Sequence, residues 1–289
     1  MTRLVRMSDS PPRLFDPDIL ALRRARAART PADFLHEEAA RDTAERISEV
    51  NRRFLRPAVI GPRPGIWTRA LRDAGLPEPV VAADEEVLPL AEGAHDLVVH
   101  GLALHWANDP VGQLVQCRRA LAPDGLMIAA LFGGSTLAEL RAALAEAEAA
   151  VTGGISPRVA PMAEVRDAGS LLGRAGFAMP VADSTRLDVG YETAFHLMRD
   201  LRAMGETNAM VERLRRPTRR EVFTRAAAIY AEEFARSDGR LRATFEIVVL
   251  TGWAPAPGQP QPLRPGSAQQ RLADALGSVE VRPLGRRED

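Results

Sequence analysis

Three short stretches hold the side chains best placed by type and spacing to do chemistry. "GLALHWANDP", residues 101–110, sets His105, Trp106 and Asn108 just after an apolar run containing His100 and Leu102. An imidazole moves protons near neutral pH, and an indole face attracts a guanidinium. "LMRDLRAMGETN", residues 197–208, offers Asp200, Glu206 and Asn208 near a helix end. A carboxylate there could clamp a guanidinium through paired, charge-assisted hydrogen bonds. "PVVAADEEV" ends an apolar run in Asp84, Glu85 and Glu86, and Asp84 could accept a hydrogen bond from a ligand at a strand's C-terminal end. Each stretch also has a plainer reading. His105 and Trp106 could pack beneath the next helix, Glu85 and Glu86 suit a solvated loop, and Asp200 and Glu206 could be ordinary helix charges before a Gly205 cap. His100 and His105 lack a third ligand at metal-site spacing, so no metal is expected.

These groups need a scaffold, and the spacing predicts one. From Pro57 to about residue 152, short apolar runs alternate with helical patterns: "AVIG", "IWTRALRDAGL", "PVVAAD", "HDLVVHGLAL", "DPVGQLVQCRRALAPDG", "LMIAALFG" and "STLAELRAALAEAEAAV". Continuous apolar strands joined by helices mean a parallel sheet covered on both faces. Asp109 and Pro110 mark one helix start; Ser135 or Thr136, with Glu139 three or four residues on, suggests a capping box at the next. Beyond Gly153 the pattern gives three helices, at "MAEVRDAGSLLGRAGF", "ETAFHLMRDLRAMGETN" and "RREVFTRAAAIYAEEFARS", and a last strand, "LRATFEIVVLTGWAP". The divisions expected are 1–12 disordered, 13–55 N-terminal helices, 56–254 a Rossmann-like domain including a helical lid over about 155–236, and 255–289 a proline-rich tail.

Composition narrows the function classes. The 289 residues carry 38 basic and 38 acidic side chains, so no general attraction to nucleic acid follows. All the basic residues are arginine, which removes Schiff-base and P-loop lysine chemistry. The single cysteine, Cys117, forbids an internal disulfide and falls in a helix pattern as a small core residue. There is no apolar run long enough for a membrane helix and no signal core, and a cytoplasmic location is the simplest expectation.

The segment "ADEEVLPLAEGAHDLVVHGLALHWANDPVGQLVQCRRALAPDGLMIAALFGG" resembles the middle of class I S-adenosylmethionine-dependent methyltransferases. More narrowly, "ALHWANDP", "LFGGSTLAELR", "GGISPRVAP", "DAGSLLGRAGF", "LMRDLRAMGETN" and "FEIVVLTGW" in order resemble the respiratory complex I assembly factors of that fold, from about Phe34 to Ser267. The resemblance implies a seven-stranded sheet with an antiparallel last strand and an S-adenosylmethionine pocket touching Gly61, Gly65, Asp84, His100 and Leu102. It implies hydroxylation of an arginine on an iron–sulfur subunit of complex I, with peripheral contact at the inner membrane. Malonyl-carrier-protein methyltransferases share the middle segment.

This chain departs from that pattern twice. In "RPAVIGPRPGIWTRAL", residues 56–71, the first-strand acidic position is Val59, and the middle glycine of the loop is Arg63 between two prolines, which lack N–H donors. Only 18 residues separate Gly65 from Asp84, room for one helix and one strand. A strand–helix unit carrying the ribose carboxylate is therefore expected to be missing, with the 80–83 strand lying directly beside the 58–60 strand. Three functions remain open: an enzyme acting on a protein arginine, with His105, Trp106, Asp200 and Glu206 as catalytic candidates; a non-catalytic assembly chaperone; and a small-molecule or carrier-protein methyltransferase.

Overall fold

The computed structural model describes residues 13–259. The expected disordered stretch 1–12 and all but the first residues of the expected tail 255–289 lie outside the described residues.

Two helices lead in, α1 (Pro17–Ala27) and α2 (Phe34–Glu49). Asp16 caps α1, its carboxylate accepting from the Ile19 N–H at 3.2 Å, and Pro17 takes the first helical position, where its missing N–H costs nothing. Then come β1 (Pro57–Ile60), α3 (Pro64–Asp73), β2 (Val80–Ala82), β3 (His95–Gly101), a short turn of 3₁₀ helix (Leu104–Trp106), α4 (Pro110–Ala120), β4 (Leu121–Phe132) and α5 (Ala138–Thr152). The remainder is α6 (Val165–Arg174), β5 (Ala178–Tyr191), α7 (Ala194–Met204), α8 (Arg220–Glu233) and β6 (Leu241–Trp253).

The strands form one six-stranded sheet in the order β2-β1-β3-β4-β6-β5. β2, β1, β3 and β4 run parallel, and β6 is antiparallel to both neighbours. This is a class I methyltransferase sheet one strand short. β2 pairs directly with β1, Val59 opposite Val81, so no strand intervenes and the expected deletion is observed.

Alternation along the strands divides the core. Val59, Leu97, Val99, Ile128 and Phe245 face α2, α3, α5, α7 and α8. Ala58, Ile60, Val98, Met127 and Val248 face α4 and α6, with Cys117 buried among them. A third, smaller cluster, Phe15, Leu20, Trp106, Ala160, Ala209 and Met210, pins the start of α1 to the loops at the strands' C-terminal ends. Asp96 ties the entry of β3 to the chain before β1, accepting from the Leu55 and Arg56 N–H groups at 2.8 and 2.9 Å.

Two expectations are corrected. The lid region is not all helical: residues 178–191 form β5, the sheet's longest strand, paired along its length with β6. Its polar and half-exposed face hid it from a reading based on apolar runs. The capping box at α5 does not form. Leu137 occupies the cap position in the left-handed region (φ 56°), while Thr136 bonds to the Glu246 backbone and Glu139 accepts from Thr244 at 2.5 Å. Those side chains bind the neighbouring strand instead, and tertiary partners outcompete the local cap.

Candidate functional site

The ends of β1 and β3 meet closely. Gly61 has φ +145°, and a Cβ on it would stand 2.5 Å from the Gly101 carbonyl oxygen. The glycine is needed for strand approach. Gly65 is the second residue of α3, exposed, with nothing within 4 Å of a Cβ placed there. Trp67, fully buried, fills the space over Gly101, and its indole N–H donates to His36 Nδ1 at 3.3 Å. Leu102 is a core residue, its N–H donating to Ala130 O at 2.9 Å. His100 is wholly buried and paired through Nε2 with Gln113 Oε1 at 2.9 Å.

Two guanidinium groups lie at this end of the sheet, one from the β1–α3 turn and one from α1. Arg63 stands before α3 with Nε 3.1 Å from the Asp33 carboxylate and Nη2 donating to Ala203 O at 3.3 Å. Arg24, on α1, places Nη1 2.6 Å from Asp84 Oδ2, with the two side chains only 18% and 14% exposed. His36 shares this environment. Burial pushes its imidazole down to about 4; the Glu206 charge opposes that fall, and Arg63, His105 and Arg24 deepen it.

Several residues at the positions that the resemblance assigns to S-adenosylmethionine are unsuited to it. Its sulfonium is a cation, and Arg63 and Arg24 bring two further cations to the strand ends, beside a histidine whose pKa burial lowers to about 4. Of the acidic run after β2, Asp84 is committed to Arg24, and the two together line a cavity of about 850 Å³ beside α1; Val59 offers no carboxylate, and Gly61, Gly65, Arg63 and Leu102 line neither of the two larger cavities beside the strand ends.

The second group of candidates does converge. Glu206, just past the Gly205 cap of α7, accepts from the Trp106 indole N–H at 2.6 Å and lies 3.1 Å from His105 Nε2. Its side chain is 8% exposed and that of His105 2%. Burial would raise the Glu206 carboxyl, but His105, Arg24 and the Trp106 N–H hold it below its ordinary value. Phe15 stacks edge-on against Trp106 with ring centroids 5.0 Å apart, fixing the indole. Asp200 does not join this group: it lines neither cavity and lies by Tyr191, whose phenol burial and the Asp200 charge push upward.

Trp106 and Glu206 form part of the wall of a cavity of about 640 Å³. Its floor is apolar, with Phe132, Leu140, Leu144, Met162, Phe223 and Phe245. Its other charged lining is all arginine: Arg23 and Arg26 from α1, Arg158 from the segment between α5 and α6, Arg199 and Arg202 from α7, and Arg213. A second cavity of about 850 Å³ lies on the other side of Trp106, between α1 and the Asp84–Val87 loop.

Sequence reasoning found Glu206, His105 and Trp106 but not the contacts among them. It missed Arg24, Arg23, His36 and Asp33, all from the N-terminal helices. No local signal marks these four, because an arginine on an amphipathic helix looks solvated until the helix is docked.

A methyltransferase domain model matches residues 62–129. The human protein named arginine-hydroxylase NDUFAF5, mitochondrial, is 37% identical over 300 residues, covering 95% of this chain and 86% of the relative. A malonyl-[acyl-carrier protein] O-methyltransferase from Laribacter hongkongensis is 39% identical over 226 residues, covering 74% of this chain and 70% of that one. Among solved structures, an S-adenosylmethionine-dependent methyltransferase from Mesorhizobium loti superposes with TM-score 0.41 at 16% identity, over 75% of this chain and 99% of that chain.

Proposed function

The chain belongs to the arginine-hydroxylase NDUFAF5 family, and on that premise we propose that it acts on an arginine of a protein partner during assembly of a respiratory complex. The partner proposed is an iron–sulfur subunit of complex I, met at the aqueous face of the inner membrane. Among the described residues no helix is long and apolar enough to cross a membrane. The compartment proposed is the cytoplasm, although the human relative is named mitochondrial.

The observation that carries this reading is Glu206. It is a buried carboxylate, ionised because three donors or cations surround it, and it lines the cavity that opens away from the packed cofactor end. A guanidinium entering the cavity would find one anionic group, at Glu206, beside the aromatic face of Trp106. His105, which does not line the cavity, holds the carboxylate in place, while Trp106 holds it through its indole N–H and leaves its ring on the cavity wall.

The test is a deletion of the gene in the cell that makes the protein, followed by mass spectrometry of the purified respiratory complex. One arginine carrying an added oxygen in the parent and lacking it in the deletion supports the reading, provided the wild-type chain restores it and Glu206→Gln does not. Identical peptides in both strains sink it.

A second reading, a non-catalytic assembly chaperone, is favoured by the Arg24–Asp84 pair and by Arg63, which occupy the cofactor end. Calorimetry separates the cofactor question: heat with micromolar S-adenosylmethionine would show that α1 yields to the ligand. If the complex assembles with Glu206→Gln but stays unmodified, catalysis and chaperoning are distinct duties of one protein. If it assembles without any modification in the parent, only the chaperone remains.

A further inference from the structure

The cavity beneath Glu206 is electrically lopsided. Six arginines and one carboxylate line it. Arg158 is neutralised by Glu148 at 2.5 Å and Arg213 by Asp16 at 3.0 Å. Arg23, Arg26, Arg199 and Arg202 have no carboxylate partner among the described residues. Arg23 is the least comfortable of them: its Nη1 is buried with nothing to donate to. Burial, then the charges of Arg213 and Arg26, press its guanidinium pKa below the usual value. A buried donor without an acceptor costs about 1–3 kcal/mol, and like charges held together add to that, so the arrangement calls for an anion.

The surface around the mouth has the character of a protein interface. Arg199 and Arg202 share a stripe of α7 with Phe195, which is 46% exposed, and on α1 Arg26 follows Leu22, also 46% exposed, by one turn. Exposed aromatic, aliphatic and arginine side chains together are the composition of a binding patch. An isolated arginine substrate would be repelled by this collar before it met Glu206.

We propose that the partner is recognised through an acidic segment, whose carboxylates bind Arg23, Arg26, Arg199 and Arg202 while an apolar side chain of the same segment seats on the Leu140–Phe245 floor. The proposal rests on the reading above in taking the occupant to be the protein that carries the target arginine. The collar then selects the segment, and Glu206 receives the one guanidinium within it. Carboxylates flanking the arginine convert a repulsive approach into an attractive one, and the attraction weakens with salt.

The test uses fluorescence anisotropy with the full chain and labelled peptides. The probe holds one arginine, one leucine and four aspartates or glutamates; the control replaces the acids by asparagine and glutamine. The acidic peptide is expected to bind at least about tenfold more tightly than the control, with affinity falling as salt rises. Arg199→Glu with Arg202→Glu, both exposed and outside the packed core, should abolish that preference. The same double variant should bind a peptide with lysines in place of the acids better than the wild type does. Equal binding of acidic and amide peptides overturns the proposal. So does dodecanoate displacing the peptide while the charge reversal has no effect, which would mark the cavity as a site for an anionic amphiphile. Acidic-peptide binding without any modified arginine in cells would keep this inference and remove the hydroxylase reading; modified arginine without acidic-peptide binding would do the reverse.

Discussion

The two ends of the site treat arginine in opposite ways. At the cofactor end, Arg24 and Arg63 are folded inward and each pairs with a carboxylate of the same chain, Asp84 and Asp33, with Arg24 Nε and Nη2 buried and left without a hydrogen-bond partner. At the cavity mouth, Arg23, Arg26, Arg199 and Arg202 have no carboxylate partner among the described residues. The first arrangement ties α1 and the loop after β1 to neighbouring segments of the same chain. The second leaves charge for something outside the molecule to neutralise. The same side chain thus closes one region and opens the other, and the difference lies in whether the chain supplies the anion.

The sharpest way to break the contrast is at Glu206, which stands between the two regions. Glu206→Ala removes the acceptor of the Trp106 indole and the partner of His105, leaving buried polar groups unmatched. It is expected to cost about 4 kcal/mol in urea denaturation, with Glu206→Gln costing less. A loss below about 1 kcal/mol would mean that the carboxylate is not the hub described here.

His36 offers a test of how deeply the cofactor end is buried. Its folded pKa, about 4, lies below the unfolded value of 6.5, so the unfolded chain takes up the proton first as pH falls. Its contribution is fully present above pH 6.5 and is lost as the pH drops toward 4. The shift corresponds to up to about 3 kcal/mol. A His36→Gln variant should show a flatter stability–pH profile across that window, and an unchanged slope would argue against a histidine desolvated by burial, the largest cause of the shift.

Arg24→Ala should destabilise the chain by about 2 kcal/mol, because Asp84 is left nearly buried without its partner. Adding Asp84→Asn should recover much of that loss, and the double-mutant cycle gives the coupling directly. If the single and double losses simply add, the ion pair does not hold α1 over the sheet. Arg199→Ala and Arg202→Ala complete the comparison. Being exposed and without carboxylate partners, they should change stability by no more than about 0.5 kcal/mol each, while partner binding suffers. A large thermal shift for either would place it with the structural arginines of the other end.

Much of this scaffold was legible in the residues. The β-α alternation from β1 to α5, the helix start at Asp109–Pro110 and the Gly205 cap are local signals, and the structure keeps them. The missing strand was legible as chain length, since 18 residues between Gly65 and Asp84 cannot hold two crossovers. β5 was not, because a half-exposed edge strand lacks an apolar run. The Thr136–Glu139 cap misled because a good local partner lost to β6. For the site, the three side chains that meet at Glu206 were nominated individually, and Asp200 was nominated beside them without belonging there.

The sequence by itself determined the strands β1 to β4 and β6, the deletion beside β1 and the absence of an acidic first-strand residue at Val59, since periodicity, length and residue type act over a few residues. Only the tertiary structure decided which charges meet. Arg24 lies 60 residues before Asp84 and His105 lies 101 before Glu206. An ion pair or a hydrogen bond depends on distances of a few ångströms that no local pattern encodes, so the closing of one pocket and the charging of the other could be read only once α1 was docked.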